Sequence, residues 1–121
     1  MVVIDDDPSI REVAALSLSA VGGHEVQTAG GGVDGVELAR RTRPDVILLD
    51  VMMPTHDGTA VLAHIRADDV LRDVPVVFLT AKVGAADIRR LDDQGAAGVI
   101  TKPFDPLELP QRLAEVLGWE A

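Results

Sequence analysis

Three short, unbroken apolar runs, at residues 2–4, 46–49 and 76–79, alternate along this chain with segments whose apolar residues recur at helical spacing. A run without polar alternation offers no face to water, so it suits a strand covered on both sides. Strands of that kind belong to parallel sheets, and parallel neighbours need crossover connections, usually helices. The chain has 121 residues, enough for one core and too few for two ordinary domains. Only Phe78, Phe104 and Trp119 are aromatic, so the core must be aliphatic.

The pattern predicts five β-α units. After the strand at 2–4, Asp7-Pro8 reads as a helix cap followed by the first helical residue. Ile10, Val13, Ala14, Ser17, Leu18 and Val21 form its inner stripe, and Gly22-Gly23 stops it. Residues 24–28 are polar and alternating, which suits an edge strand. A helix follows over 33–43, with Val33, Val36 and Ala39 inward and Pro44 ending it. The strand at 46–49 precedes a helix from Gly58 to about Asp68, capped by Asp57, with Val61, Leu62 and Ile65 buried. Beyond the strand at 76–79, a weaker helix is expected over 84–94 through Ile88 and Leu91, then a short strand at 98–100. Asp105-Pro106-Leu107-Glu108 has the form of a capping box, with Leu109, Leu113, Val116 and Leu117 as the last buried stripe. Pro110 near that start is expected to remove a backbone bond and bend the axis. Alternating units of this kind imply a doubly wound parallel sheet with helices on both faces and right-handed crossovers.

In open parallel sheets, sites form beyond the carboxyl ends of the strands. Asp5 and Asp6 lie there after the first strand, Asp50 after the third, Thr80 after the fourth and Lys102 after the fifth. Unit charges ~4 Å apart repel by about 4 kcal/mol at an effective dielectric of ~20, so three carboxylates need positive charge among them. Lys102 supplies one. A hard divalent cation would supply two more, and with oxygen ligands alone magnesium is the natural choice. A carboxylate beside such a cation can attack phosphorus and form an aspartyl phosphate. Metal, ammonium and hydroxyl would then serve the three equatorial oxygens of the phosphoryl group.

The chain resembles the receiver domains of two-component response regulators over its whole length. The resemblance rests on Val3-Ile4-Asp5-Asp6-Asp7-Pro8-Ser9-Ile10-Arg11, Leu48-Leu49-Asp50-Val51-Met52-Met53-Pro54, Asp57-Gly58, Leu79-Thr80-Ala81 and Thr101-Lys102-Pro103-Phe104, five motifs in order. It implies a flavodoxin-like (βα)5 fold with strand order 2-1-3-4-5, residues 1–121 forming one receiver, and no output domain in this chain. It implies Asp50 as phosphoacceptor. It also implies Asp6 as direct magnesium ligand, Asp5 as its neighbour acting through water, and the backbone carbonyl of Met52 as a further ligand. Thr80 matches the switch hydroxyl and Lys102 the lysine that pairs with the phosphoryl group, with Lys102-Pro103 a cis peptide. A histidine kinase or histidine phosphotransfer protein would be the donor. The face formed by the helix at 84–94, the fifth strand and the last helix would be the switched surface. Two departures stand out. Val99 occupies a position where the family often has an aromatic residue, so aromatic rotation cannot be the readout. Residues 95–99 (Gly-Ala-Ala-Gly-Val) lack the acidic residues of typical DNA-binding members, which argues for a monomer.

Other readings were open to the same residues. Asp5-x-Asp7-x-Ser9 loosely fits the nucleophile motif of haloacid-dehalogenase phosphatases, with Asp5 rather than Asp50 attacking. A flavin-binding flavodoxin-like module and a degenerate docking receiver would share the fold. Gly30-Gly31-Gly32 lacks a Gly-Lys-Ser/Thr ending and reads as a plain loop, and His56 as an exposed loop histidine. His24 and His64 have no evident partners, Met52-Met53 reads as packing plus a backbone carbonyl rather than a soft-metal site, and Trp119 as a terminal packing residue. With 20 acidic against 11 basic residues and net charge −9, direct nucleic-acid binding is not expected. Cysteine is absent, which removes disulfides, thiolate nucleophiles and Cys-ligated metals. No apolar run approaches the ~18–20 residues of a membrane span, and no basic-then-apolar leader opens the chain, so a cytoplasmic setting is expected.

Overall fold

Five parallel strands order themselves β2-β1-β3-β4-β5 in a computed structural model that describes residues 1–53, 57–81, 89–91 and 93–119. They are β1 (Val2–Ile4), β2 (Gln27–Ala29), β3 (Ile47–Asp50), β4 (Val76–Thr80) and β5 (Gly98–Thr101). The register sets Ile4 beside Leu49, Asp50 beside Leu79, and Thr80 beside Thr101. Because side chains alternate across a strand, each continuous run feeds two cores. Val2, Ile4, Ile47, Leu49, Val76 and Phe78 point to one face and pack with Val61, Leu62 and Ile65. Val3, Leu48, Val77 and Leu79 point to the other and pack with Ala14, Leu18, Leu109 and Leu113.

The first face is covered by α2 (Gly32–Thr42) and α3 (Gly58–Ala67), the second by α1 (Pro8–Leu16) and the C-terminal helix (Leu109–Leu117). Asp7 caps α1 by accepting from the Ser9 and Ile10 N–H groups, and Asp57 caps α3 by accepting from Thr59, both as expected. The helix predicted over 84–94 lies mostly outside the described residues, as does His56; residues 89–91 are helical and Leu91 is buried with the first face.

Several expectations are corrected. Val13, within α1, is exposed, and so is Val21, because α1 ends at Leu16 and gives way to a π-helical turn over Ser17–Val21. That wide turn carries Ser17 and Leu18 inward, and the Ser17 hydroxyl donates to the carbonyl of Pro106. Val33 is exposed too: α2 faces the sheet through Gly32 and Gly35 instead. The backbone comes so close there that a Cβ on Gly35 would lie 2.4 Å from Ile4 Cδ1. The capping box does not form. The Asp105 carboxylate accepts from Leu107, two residues on, and the helix starts at Leu109 with no side-chain bond from Glu108. Pro110 therefore sits in the first turn, where its missing N–H takes no bond from the helix. His24 does have a neighbour, the Trp119 ring at a centroid distance of 6.1 Å.

Candidate functional site

Of the described residues, the buried polar or charged ones are Asp5, Ser17, Asp50 and Thr80, and all but Ser17 stand at the carboxyl ends of strands. Burying carboxylates is costly unless they are paired, so their neighbours define the site. Asp5 follows β1 directly and is 0% exposed. Its Oδ1 accepts from the Asp7 N–H at 2.9 Å, and its Oδ2 accepts from Lys102 Nζ at 2.9 Å. Asp50 closes β3 and is 5% exposed; its Oδ1 accepts from Lys102 Nζ at 3.1 Å and from the Met52 N–H at 3.3 Å. One ammonium therefore bridges two carboxylates that arrive on adjacent strands.

Asp6 completes the acidic group from an exposed position. Oxygens of Asp5, Asp6 and Asp50 lie within 4.8 Å of one another. An all-oxygen cluster of that size fits a hard divalent cation, since Lys102 offsets only part of its charge. Thr80, wholly buried, ends β4 one strand away, and its carbonyl accepts from the Lys102 N–H at 2.8 Å. The Lys102-Pro103 peptide is cis, as the resemblance implied.

The electrostatics follow from this burial. Desolvation, then the charge of Asp5, push the Asp50 carboxyl up from 3.8 to about 6, against the opposing pull of Lys102 and the Met52 N–H. Burial alone would lower the Lys102 ammonium, but its bonds to Asp5 and Asp50 and their charges prevail, so its pKa stands above the ordinary value.

Two residues that the motifs contain, but to which sequence reasoning gave no site role, also build the site. Arg11 Nη1 donates to the Asp5 carbonyl at 2.8 Å, tying α1 to the end of β1. An arginine one turn inside a helix that starts beside a strand end was the available clue. Gly58 is the second: a Cβ there would come 2.4 Å from the Asp50 carbonyl oxygen, so α3 begins in backbone contact with the end of β3.

The phosphatase alternative is not supported. Asp5 has both oxygens engaged and no exposed surface, a poor state for a nucleophile. No helix of the described residues is long and apolar enough to cross a membrane.

Comparison with known proteins agrees with this arrangement. The response regulator receiver domain family matches residues 1–114. The chain is 38% identical over 117 residues to the DNA-binding dual master transcriptional regulator RpaA of Synechocystis, covering 97% of this chain and 48% of that protein. It is 40% identical over 117 residues to the transcriptional regulatory protein AfsQ1 of Streptomyces coelicolor, covering 97% and 50%. The chain spans about half the length of the curated relatives it matches. Among solved structures, the chemotaxis response regulator CheY4 of Vibrio cholerae superposes with a TM-score of 0.88 at 32% identity, over 96% of each chain. A match of this extent, on a 2-1-3-4-5 sheet with acids and a lysine at its strand ends, makes the chain a member of the response-regulator receiver family, a signalling domain of two-component systems.

Proposed function

We propose that Asp50 is the phosphoacceptor, and that a histidine kinase or histidine phosphotransfer protein is the donor. The observation that carries this reading is the bridge from Lys102 to both Asp5 and Asp50 beside a three-carboxylate cluster. An Asp50 oxygen attacks phosphorus, the phosphorus–nitrogen bond of the donor histidine breaks, and its electron pair stays on the imidazole. Lys102 then meets the new negative charge, and the Thr80 hydroxyl turns toward it as the switch. Magnesium would be held by Asp5, Asp6, Asp50 and the Met52 carbonyl, and it would supply the neutralisation of the phosphoryl oxygens that one ammonium cannot. The added charge, roughly −1.5 to −2 by analogy with other phosphoresidues, biases the surface of residues 84–94, β5 and the C-terminal helix between two states. Val99 packs against the core, so the readout runs through these elements without an aromatic rotor. We read residues 1–121 as one receiver domain that works as a monomer in the cytoplasm and does not bind nucleic acid itself. Its chemistry extends to its own phosphorylation and dephosphorylation.

The test exposes the protein to acetyl phosphate or phosphoramidate, with and without magnesium, and reads intact mass. The expected outcome is a gain of one phosphoryl group that needs magnesium and vanishes in Asp50→Asn. Labelling that persists at another residue, or none from these donors or from a phosphorylated kinase, overturns the assignment.

A further inference from the structure

The sequence holds three methionines and no cysteine, so its oxidisable sulfur is all thioether. Met1 and Met53 are each 9% exposed, whereas Met52 is 62% exposed. Met1 packs in the second core and Met53 in the first. Oxygen transfer to a thioether requires access to the sulfur lone pair, so burial shields these two. The reachable sulfur of the chain is thereby concentrated in one side chain.

The backbone of that residue is hydrogen-bonded to the proposed acceptor. Met52 is two residues past Asp50, and its N–H donates to Asp50 Oδ1 at 3.3 Å. It lines a cavity of about 410 Å3 together with Asp57, Thr59, Arg90 and Gln94, at the mouth between the end of β3 and the start of α3. Any peroxide that reaches this protein meets its most exposed methionine two residues past Asp50.

We propose that Met52 is a peroxide-sensitive modification site that shortens the life of the phosphorylated state. In the step, one peroxide oxygen is transferred to the sulfur lone pair and the O–O bond breaks. The thioether is oxidised by two electrons to the sulfoxide, and the peroxide is reduced to water. The product replaces an apolar flank with a polar S=O group that accepts hydrogen bonds. Water held there stands within reach of the acyl phosphate, so hydrolysis is faster. The inference rests on the reading of Asp50 as acceptor.

The experiment treats the purified protein with hydrogen peroxide, maps the added oxygen by peptide mass, then phosphorylates with acetyl phosphate and magnesium and follows decay. The expected result is one oxygen on Met52 before any on Met1 or Met53, and a phosphoprotein half-life shortened roughly two- to tenfold. Methionine sulfoxide reductase should restore the half-life. In Met52→Leu, peroxide should leave the half-life at that variant's own untreated value. Oxidation of Met53 or Met1 as fast as Met52 overturns the inference. So does an oxidised protein that decays at the untreated rate. An untreated protein that takes no phosphoryl group on Asp50 removes the acceptor reading and this inference together; a labelled protein indifferent to the sulfoxide removes the inference alone.

Discussion

Asp50 is held between two opposed demands. In the proposed reaction it must be buried enough to be desolvated and charged enough to attack, and Lys102 reconciles the two only in part. With its carboxyl at about 6 in the folded chain against an ordinary 3.8, the folded state binds the proton more tightly than the unfolded one. The stability this group contributes is complete below about pH 4 and is lost as pH rises through about 6. At pH 7.5, in the absence of divalent cations, the charged Asp50 is therefore a net cost. Asp50→Asn should raise stability there by about 1–3 kcal/mol, and the gain should fade toward pH 4. Urea unfolding of both proteins in chelator at the two pH values checks this; an equal difference at both would refute it. Asp5, Asp50 and Lys102 were readable from the sequence because few residue types can do this chemistry and each stood at a strand end. Arg11 was not, because its contact is with a backbone carbonyl, which any element can offer.

At the level of elements, the α3 start shows how backbone, not side chain, shapes the end of β3. Glycine to alanine near a helix start ordinarily favours the helix by up to ~1 kcal/mol. At Gly58 the added Cβ would meet the Asp50 carbonyl oxygen at 2.4 Å and Val51 Cα at 2.8 Å, and backbone cannot swing aside as a side chain can. Gly58→Ala should therefore destabilise the protein by about 1–3 kcal/mol and slow phosphoryl uptake together. Denaturant unfolding and the labelling assay measure the two effects; a stabilised variant would show that α3 can shift freely. Most strands and helices were legible from periodicity, since both faces of the sheet are buried and the helix stripes are regular. The misreadings have separate local causes. Val33 obeyed helical spacing, yet Gly32 and Gly35 allowed the helix to turn its backbone toward the sheet. The motif at 105–108 had the letters of a capping box, but Asp105 closed a local turn first.

For the whole molecule, the sheet order is the decisive fact. It places β1, β3, β4 and β5 side by side, so residues far apart in sequence meet at one edge. The acidic cluster exists only in the folded chain, so a cation bound there stabilises the fold by mass action. Each tenfold rise in magnesium above its dissociation constant should add about 1.4 kcal/mol to wild-type stability. Asp6→Asn should weaken that response while changing metal-free stability by no more than about 0.5 kcal/mol, because Asp6 is exposed. Thermal melts across a magnesium series check this, and stabilisation that sets in at the same magnesium concentration in the two proteins would exclude Asp6 as a ligand.

The alternation of apolar runs and helical stripes was sufficient to determine a doubly wound parallel sheet, because a strand with no polar face must be covered twice. The residue types at the strand ends were sufficient to indicate phosphoryl chemistry, because few sets of side chains can neutralise a phosphoryl group. Tertiary structure alone decided how that set is wired: Lys102 reaches both Asp5 and Asp50, Arg11 ties down the Asp5 carbonyl, and Gly58 lets α3 touch the end of β3. It also decided that one methionine of three, two residues past Asp50, faces solvent. These are distances between segments remote in sequence, and sequence spacing carries no measure of such distances.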